Sequence, residues 1–367
     1  MGPVGLYAHF PWCVRKCPYC DFNSHPVRGS IDEAGYVSAL LADLRKNLPR
    51  DVPIGSVFFG GGTPSLFHAP AFAAVLEEVA SQLTEDAEVT MEANPGTTEH
   101  SDLRAYRQAG INRLSIGAQS FDDEALERLG RIHHAAETLD CAARARSAGF
   151  ENINIDLMYG LPHQTPDQAV QDLEAALALE PDHISWYQLT IEPRTEFARR
   201  PPPIPPEDRI DETEQRGRDR LEQAGFERYE VSAYARPGRR SRHNVNYWSF
   251  GDYVGIGAGA HGKLTSGGRV ARTVKPSQPR LYLQDPESQQ RQIVEAEALP
   301  FEFMLNALRL RDGVPLDQFT QRTGLALEAL DPVWGELVDE GLVHRHRLAT
   351  TPEGYRYLDS VVSRFLS

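Results

Sequence analysis

The most constraining feature of this sequence is a repeated alternation of short apolar segments with longer segments of helical periodicity. In one of the helical segments, Tyr36, Leu40 and Leu44 recur on a single face. Strand–helix alternation of this kind implies parallel strands joined by right-handed crossovers. The number of strands favours an α/β barrel or partial barrel, where chemistry takes place at the carboxyl ends of the strands. The predicted strands are Gly5–His9, Ser56–Phe59, Glu88–Glu92, Arg113–Gly117, Asn152–Met158, His183–Leu189 and Arg228–Ser232.

The alternation stops in the last third of the chain. Arg199–Pro206 is a proline-rich surface connection. A second break is predicted over Gly267–Glu287, which holds three prolines and few apolar residues. Beyond it, Phe301–Leu310 and Leu327–Glu340 are predicted to be helices, followed by a short hairpin and a closing helix. The sequence therefore predicts a large α/β domain over 1–235, a connecting segment over 236–290 and a small helical, winged-helix-like domain over 291–367.

Composition narrows the choice of partners and compartment. The chain has 52 acidic against 38 basic residues and a net charge of −14, which opposes non-specific binding to nucleic acid. We therefore expect no nucleic-acid partner, despite the winged-helix-like tail. No apolar run is long enough to span a membrane, and no signal peptide is recognised at the N-terminus. A cytoplasmic location is expected.

Three of the four cysteines form the string Cys13-x3-Cys17-x2-Cys20. A [4Fe–4S] cluster usually takes one cysteine per iron, so three thiolates leave one iron open to a small molecule. S-adenosylmethionine (SAM) can chelate such an iron through its amino and carboxylate groups. Cys141 lies in an alanine-rich helical stretch and is predicted to be a buried, small apolar residue.

Other chemistry uses the same string. Cys17-Pro-Tyr-Cys20 alone is the low-pKa dithiol of glutaredoxin-like thiol proteins. A zinc site could combine the three cysteines with His9 or His25. Neither alternative explains Cys13 together with the motifs that follow it.

Those motifs fall where predicted strands end. The loop Gly60–Pro64 allows its backbone to approach a ligand closely. Glu92, Gln119 and Asp156 hold comparable positions, and several polar strand ends in register resemble a ring around one pocket. Arg131 could pair with a carboxylate there, or be a solvated arginine beside a helix.

The last constellation is His243-Asn244-Val-Asn-Tyr247-Trp248, preceded by four arginines within seven residues and followed by a glycine-rich run that ends at His261. Histidine, aromatic rings and arginines suit a porphyrin, because they supply an axial imidazole, stacking faces and partners for propionates. We predict haem contacts from His243, Asn244, Tyr247 and Trp248. A core-packed Tyr247–Trp248 pair beside a hydrogen-bonded histidine is the alternative.

Taken in order, these motifs resemble the radical SAM family of oxygen-independent coproporphyrinogen III oxidases, over about Gly5 to Leu366. The resemblance implies a radical SAM partial (β/α)6 barrel with a C-terminal helical domain. It also implies that Cys13, Cys17 and Cys20 hold the cluster. The positions that it matches to SAM contacts, called the SAM-motif residues below, are Tyr7, Tyr19, Gly61, Gly62, Thr63, Glu92, Gln119, Arg131 and Asp156.

Two departures separate this chain from the oxidases. Phe22 stands where the oxidases have a further cysteine, and only twelve residues precede Cys13, where the oxidases have an N-terminal extension. Both features, with His243-Asn-x-x-Tyr-Trp248, match the HemW group of the family, which resembles the oxidase but binds haem and passes it to acceptor haemoproteins.

The first hypothesis is therefore a haem chaperone that carries a [4Fe–4S] cluster and SAM. Its partners are expected to be haem and acceptor haemoproteins, membrane-associated ones included. The second hypothesis is an enzyme, a coproporphyrinogen III oxidase that forms protoporphyrinogen IX by SAM-dependent oxidative decarboxylation. The sequence assigns no catalytic residue and leaves the oligomeric state open.

Overall fold

A computed structural model describes residues 2–98 and 102–366 of the chain. Within that part, one twelve-stranded sheet has the order β14-β13-β12-β11-β1-β4-β5-β6-β7-β8-β10-β9, and β2 pairs with β3. The strands are β1 Val4–Phe10, β2 Trp12–Cys13, β3 His25–Pro26, β4 Ile54–Gly61, β5 Leu83–Ala93, β6 Arg113–Gln119, β7 Ile153–Tyr159, β8 His183–Gln188, β9 Glu227–Arg228, β10 Ala233–Ala235, β11 Tyr253–Ile256, β12 His261–Ser266, β13 Arg269–Val274 and β14 Gln290–Ile293.

Helices connect these strands and make up most of the C-terminal region. Several begin at side-chain caps: Asp32 accepts a hydrogen bond from the backbone N–H of Gly35, and Thr165 forms a capping box with Gln168. The helices are α1 Glu33–Asn47, α2 Ala69–Glu78, α3 Pro95–Thr98, α4 Leu103–Gln108, α5 Asp123–Arg128, α6 Ala135–Ser147, α7 Pro166–Leu177, α8 Glu196–Arg199, α9 Glu207–Gln223, α10 Arg242–Trp248, α11 Pro279–Gln284, α12 Leu299–Ala307, α13 Leu316–Thr323, α14 Val333–Asp339, α15 Pro352–Arg356 and α16 Leu358–Ser363.

The centre of the sheet is parallel. Strands β1, β4, β5, β6, β7 and β8 are parallel neighbours in that order, and β11 adds to the free side of β1 in parallel. These strands are apolar and largely buried because helices cover the sheet. The predicted α/β class is confirmed, with six parallel strands joined through helices. None of the described helices has both the length and the apolar character needed to cross a membrane.

Two elements differ from the expectations. Residues 228–232 are not one strand, because Arg228 ends β9 and 229–232 form the turn that leads to β10, which runs antiparallel to β8. The Glu230 carboxylate accepts hydrogen bonds from the backbone and hydroxyl of Ser232, and these bonds favour the turn. The break over 267–287 is not a connection without structure, since it contains β13 and α11. Tyr282 of α11 is fully buried, which ties this segment to the α/β body.

The C-terminal helices enclose a second apolar core, separate from the core of the sheet. Phe303, Phe319 and Leu337 are among its fully buried members. Isolated bridges pair Val314 with Leu348 and Val343 with Thr350, at the place where the sequence predicts a hairpin. The limits given for the three segments stay predictions.

Candidate functional site

The cysteine string forms a loop directly after β1. Cys13 closes β2, and the backbone N–H of Cys20 donates to the carbonyl of Cys17 at 3.1 Å, making a tight turn. All three thiols are half-buried and outside any disulfide, whereas Cys141 is buried within α6, as predicted. Burial raises the pKa of the Cys13 and Cys20 thiols.

The three thiols suit a four-iron cluster, which takes each thiolate at a different iron. The described residues contain no set of three His, Cys, Asp or Glu side chains arranged around one metal ion. Arg131 supports an anionic cluster, because its Nη1 lies 3.7 Å from Cys17 Sγ and its Nη2 donates to the carbonyl of Gly117 at 2.9 Å.

The glycine loop at the end of β4 lies against the cysteine loop. A Cβ atom at Gly62 would lie 2.5 Å from the carbonyl oxygen of Trp12, and one at Gly61 would lie 2.5 Å from the His9 ring. Gly61 also has φ of 118°, which side chains disfavour. Only glycine therefore lets these two loops approach each other, and Thr63 is buried behind them.

Acidic strand ends meet beside this loop. Glu92 Oε2 accepts a hydrogen bond from the backbone N–H of Gly61 at 3.0 Å. Asp156 accepts from Ser115 Oγ at 3.0 Å and from Asn154 Nδ2 at 2.7 Å. Burial, with the nearby charge of Asp156, raises the pKa of Glu92 to about 8. A cation or a hydroxyl-bearing ligand would be stabilised by these carboxylates.

Tyr187 of β8 joins the remaining SAM-motif residues, although the sequence did not single it out. Its hydroxyl donates to Gln119 Oε1 at 2.7 Å. Its pKa is raised by burial and, to a smaller extent, by Tyr19, Asp156 and Glu92. Gln119 has φ of 68°, at a register shift between β6 and β7, so local backbone geometry directs it toward the site. The structure thus brings the SAM-motif residues to one end of the parallel strands.

A cavity of about 480 Å³ opens beside them. Its wall includes three SAM-motif residues, Tyr7, Gly61 and Glu92, together with His243 and Tyr247. The two groups of residues that the sequence predicts for different ligands therefore share one cavity.

His243 is held on this wall by α10, which packs against β1 and β4. Glu88 of β5 accepts hydrogen bonds from the backbone N–H of Arg242 at 3.0 Å and of His243 at 3.4 Å, so a carboxylate sits at the N-terminus of the helix. The imidazole lies against Phe58, with ring centroids 4.7 Å apart. Its Nδ1 is buried without a hydrogen-bond partner, and burial lowers its pKa to about 4.

The other predicted haem contacts do not all reach the cavity. Tyr247 lines it, with its ring 5.1 Å from that of Tyr253. Trp248 instead packs on the C-terminal core, where the Arg309 guanidinium lies 4.3 Å from its ring. Asn244 is half-buried on α10, and its backbone N–H donates to the Ser241 cap. Neither Trp248 nor Asn244 is among the residues that form the cavity wall.

The arginine cluster does not face the cavity as partners for propionates. Arg242 pairs with Asp86 at 2.6 Å, and Arg240 pairs with Asp312 at 2.6 Å. Arg239 lies 3.5 Å from Asp182, and Arg236 donates to the carbonyl of Pro181. The arginines are therefore occupied by carboxylates and carbonyls of the protein itself. These partners are distant in sequence, so the sequence alone does not reveal them.

Other residues of the cavity wall were not assigned to the SAM or haem site from the sequence. His9, Asn23, Tyr253, Gly259 and His261 all line it. His261 ends the glycine-rich run after α10, and that run was the available signal. Phe22, the position that separates the chain from the oxidases, is 62% exposed and also lines the cavity.

Comparisons with known proteins agree with this geometry. Residues 7–176 match the model of the Radical SAM superfamily, and residues 294–357 match that of the HemN C-terminal domain. The heme chaperone HemW of Escherichia coli is 45% identical over 374 residues, covering 100% of this chain and 99% of the relative. HemW of Bacillus subtilis is 33% identical, with 98% of each chain covered.

The fold also matches a solved structure. Coproporphyrinogen III oxidase (HemN) from Escherichia coli, a radical SAM enzyme, aligns with a TM-score of 0.81 and 22% identity, covering 99% of this chain and 90% of that one. At that identity the match shows the fold alone. With full-length relatives at 45% and 33% identity, the chain belongs to the HemW family of radical SAM proteins.

Proposed function

We propose that this protein is a haem chaperone, which binds haem in the shared cavity and delivers it to acceptor haemoproteins. The observation that carries the proposal is His243, whose ring lines the cavity and has a buried nitrogen without a partner. Neutral imidazole is a common ligand of haem iron, and the rings of Tyr7, Tyr247 and Tyr253 offer apolar faces beside it. The names of the HemW relatives support the same function.

The radical SAM family implies a [4Fe–4S] cluster and SAM, and the site fits both. Together they would supply one-electron reductive chemistry. The chain's own residues would hold them: Cys13, Cys17 and Cys20 through their thiolates, and Glu92 with the Gly61 backbone beside the ligand's polar groups. Arg131 would balance the charge of the thiolates. These residue roles are part of the proposal.

We also propose that the protein acts in the cytoplasm and that its acceptors include membrane-associated haemoproteins. Within the described residues no cysteine forms a disulfide, which suits a reducing compartment.

The direct test reconstitutes the purified protein anaerobically and assays two activities separately. In the first assay, haemin is titrated and followed by its Soret band, and the loaded protein is then mixed with an apo-haemoprotein such as apomyoglobin. We expect saturable haem binding and recovery of the acceptor's spectrum. In the second assay, coproporphyrinogen III, SAM and reductant are supplied, and we expect no protoporphyrinogen IX. Multiple-turnover formation of that product would establish the oxidase instead.

A variant links haem binding to the cavity. His243→Ala should weaken haem binding or alter its spectrum, because the imidazole is then absent from the wall. His346→Ala is the matched control, since that histidine is exposed in the C-terminal region and away from the cavity. Equal spectra for both variants would reject His243 as a ligand.

A further inference from the structure

Three histidines line the shared cavity, and they differ in what their rings already bind. Both ring nitrogens of His9 are engaged, Nδ1 with the Tyr7 hydroxyl at 2.9 Å and Nε2 with the carbonyl of Asn23 at 2.8 Å. His9 therefore has no nitrogen to offer a metal without breaking a buried hydrogen bond. Its role is to fix Tyr7 and the turn after Cys20.

The other two rings are unengaged. Within residues 2–98 and 102–366, neither His243 nor His261 makes a hydrogen bond through its ring to another group of the protein. His243 is inside the cavity, against Phe58, while His261 is exposed and lies at the mouth. The two rings come from different elements, α10 and β12, which the sheet brings to a single void.

The backbone holds His261 firmly even though its side chain is exposed. His261 pairs with Val274 across the β12–β13 ladder. Its carbonyl lies so close to β11 that a Cβ atom at Gly255 would be 2.0 Å away. The loop before it is anchored as well, since the side chain of Asn23 donates to the carbonyl of Ala258 at 2.9 Å. An exposed histidine on a fixed backbone is positioned to bind.

We propose that His261, together with His243, would hold the haem iron. The proposal rests on the proposed haem-binding function and names the ligand at the solvent side of the same site. Because His261 stands at the mouth and His243 lies within, His261 is the ligand that an acceptor's own side chain would replace first during transfer.

The test uses the full-length protein loaded with ferric haem, observed by visible absorption and electron paramagnetic resonance. We expect a low-spin, six-coordinate spectrum for the wild type. His261→Ala should convert it to a high-spin, five-coordinate spectrum while haem stays bound through His243, and added free imidazole should restore the low-spin signal. His346→Ala should retain the wild-type spectrum.

The results of these experiments distinguish an error in the assignment of His261 from an error in the proposed haem-binding function. A low-spin wild type with an unchanged His261→Ala spectrum, or a high-spin wild type, would overturn the assignment of His261 while haem binding stands. Absence of haem binding by the wild-type protein would overturn the proposed function and, with it, this ligand. Circular dichroism of His261→Ala checks that the variant is folded, and unbound haemin is removed by gel filtration before imidazole is added, so that the restored signal comes from protein-bound haem.

Discussion

Glu92 is a carboxylate that the fold keeps protonated near neutral pH. Its pKa is raised to about 8 in the folded protein, against about 4.3 in an unfolded chain. Below pH 4 both states bind the proton, so the residue has no effect on stability. From about pH 4.3 to 8 the unfolded state loses the proton first, and stability falls as pH rises.

Replacing Glu92 with Gln should remove the fall in stability that the buried carboxyl causes above about pH 4.3. We expect Glu92→Gln to stabilise the ligand-free protein at pH 8.5 by on the order of 5 kcal/mol, the linkage between the two pKa values, and to change stability little at pH 4. Thermal unfolding at both pH values is the measurement, and SAM affinity should fall in the same variant. Glu78→Gln is the control, because Glu78 pairs with Arg45 on the surface. An equal effect at the two pH values would contradict the assigned pKa.

The cysteines make a second prediction at this scale. Cys13→Ala, Cys17→Ala and Cys20→Ala should each lose the brown colour and most of the iron of the reconstituted protein, about four irons per chain in the wild type. Cys141→Ala should keep them, because Cys141 is buried in α6, in the core beneath the sheet. Iron analysis after anaerobic reconstitution decides this, and stoichiometric zinc without iron uptake would reject the cluster.

At the scale of elements, the glycine loop depends on close contact with the cysteine loop. Gly62→Ala should destabilise the protein by about 1–3 kcal/mol and weaken SAM binding, because the new methyl group meets the Trp12 carbonyl at 2.5 Å. Chemical denaturation and SAM titration measure the two effects. Gly335→Ala is the matched control, as its Cβ would meet no atom closer than 3.7 Å. Wild-type behaviour of Gly62→Ala would mean that the loops can separate freely.

The elements that the sequence predicts well are those governed by local pattern. Apolar runs located the parallel strands, since a buried strand between helices has few polar positions. The prediction of a strand over 228–232 was wrong because Glu230 and Ser232 form a hydrogen-bonded turn. The number of apolar residues in a segment does not indicate such a turn. The break predicted over 267–287 was wrong because β13 and α11 form through contacts with residues that are distant in sequence. His261 was missed for the same reason: it joins the cavity only when β12 pairs beside β11.

At the scale of the whole molecule, a buried ion pair ties α1 to the segment after β13. Lys275 Nζ lies 2.5 Å from Asp43 Oδ1, and both side chains are fully buried. Asp43 also accepts from the backbone N–H of Gly257 at 3.1 Å and from the Tyr282 hydroxyl at 2.9 Å. The glycine-rich loop that leads to His261 is therefore fastened to α1.

Breaking this pair should be costly. Lys275→Met leaves the Asp43 carboxylate buried and unpaired, so we expect a loss of about 3–5 kcal/mol in unfolding free energy. Asp43→Leu combined with Lys275→Met should recover part of it, since no buried charge then remains. Denaturant titration measures both, with the exposed Lys46→Met as control. A loss of less than 1 kcal/mol in Lys275→Met would show that the pair is dispensable.

The shared cavity has a consequence for how the two ligands act on each other. Tyr7, Gly61 and Glu92 lie on the same wall as His243 and Tyr247, around a volume of about 480 Å³. Ligands that occupy one void are thermodynamically linked, and the linkage is reciprocal. If SAM and haem both enter it, each should raise the dissociation constant of the other by the same factor.

Haemin titrations at increasing SAM, and SAM titrations at increasing haemin, should therefore give equal shifts. Isotherms that are independent of the second ligand would place the two in separate spaces. With reciprocal antagonism, the concentration of SAM becomes a signal that governs when haem is released, so the chaperone would sense the cell's supply of methyl donor as well as carry its cargo.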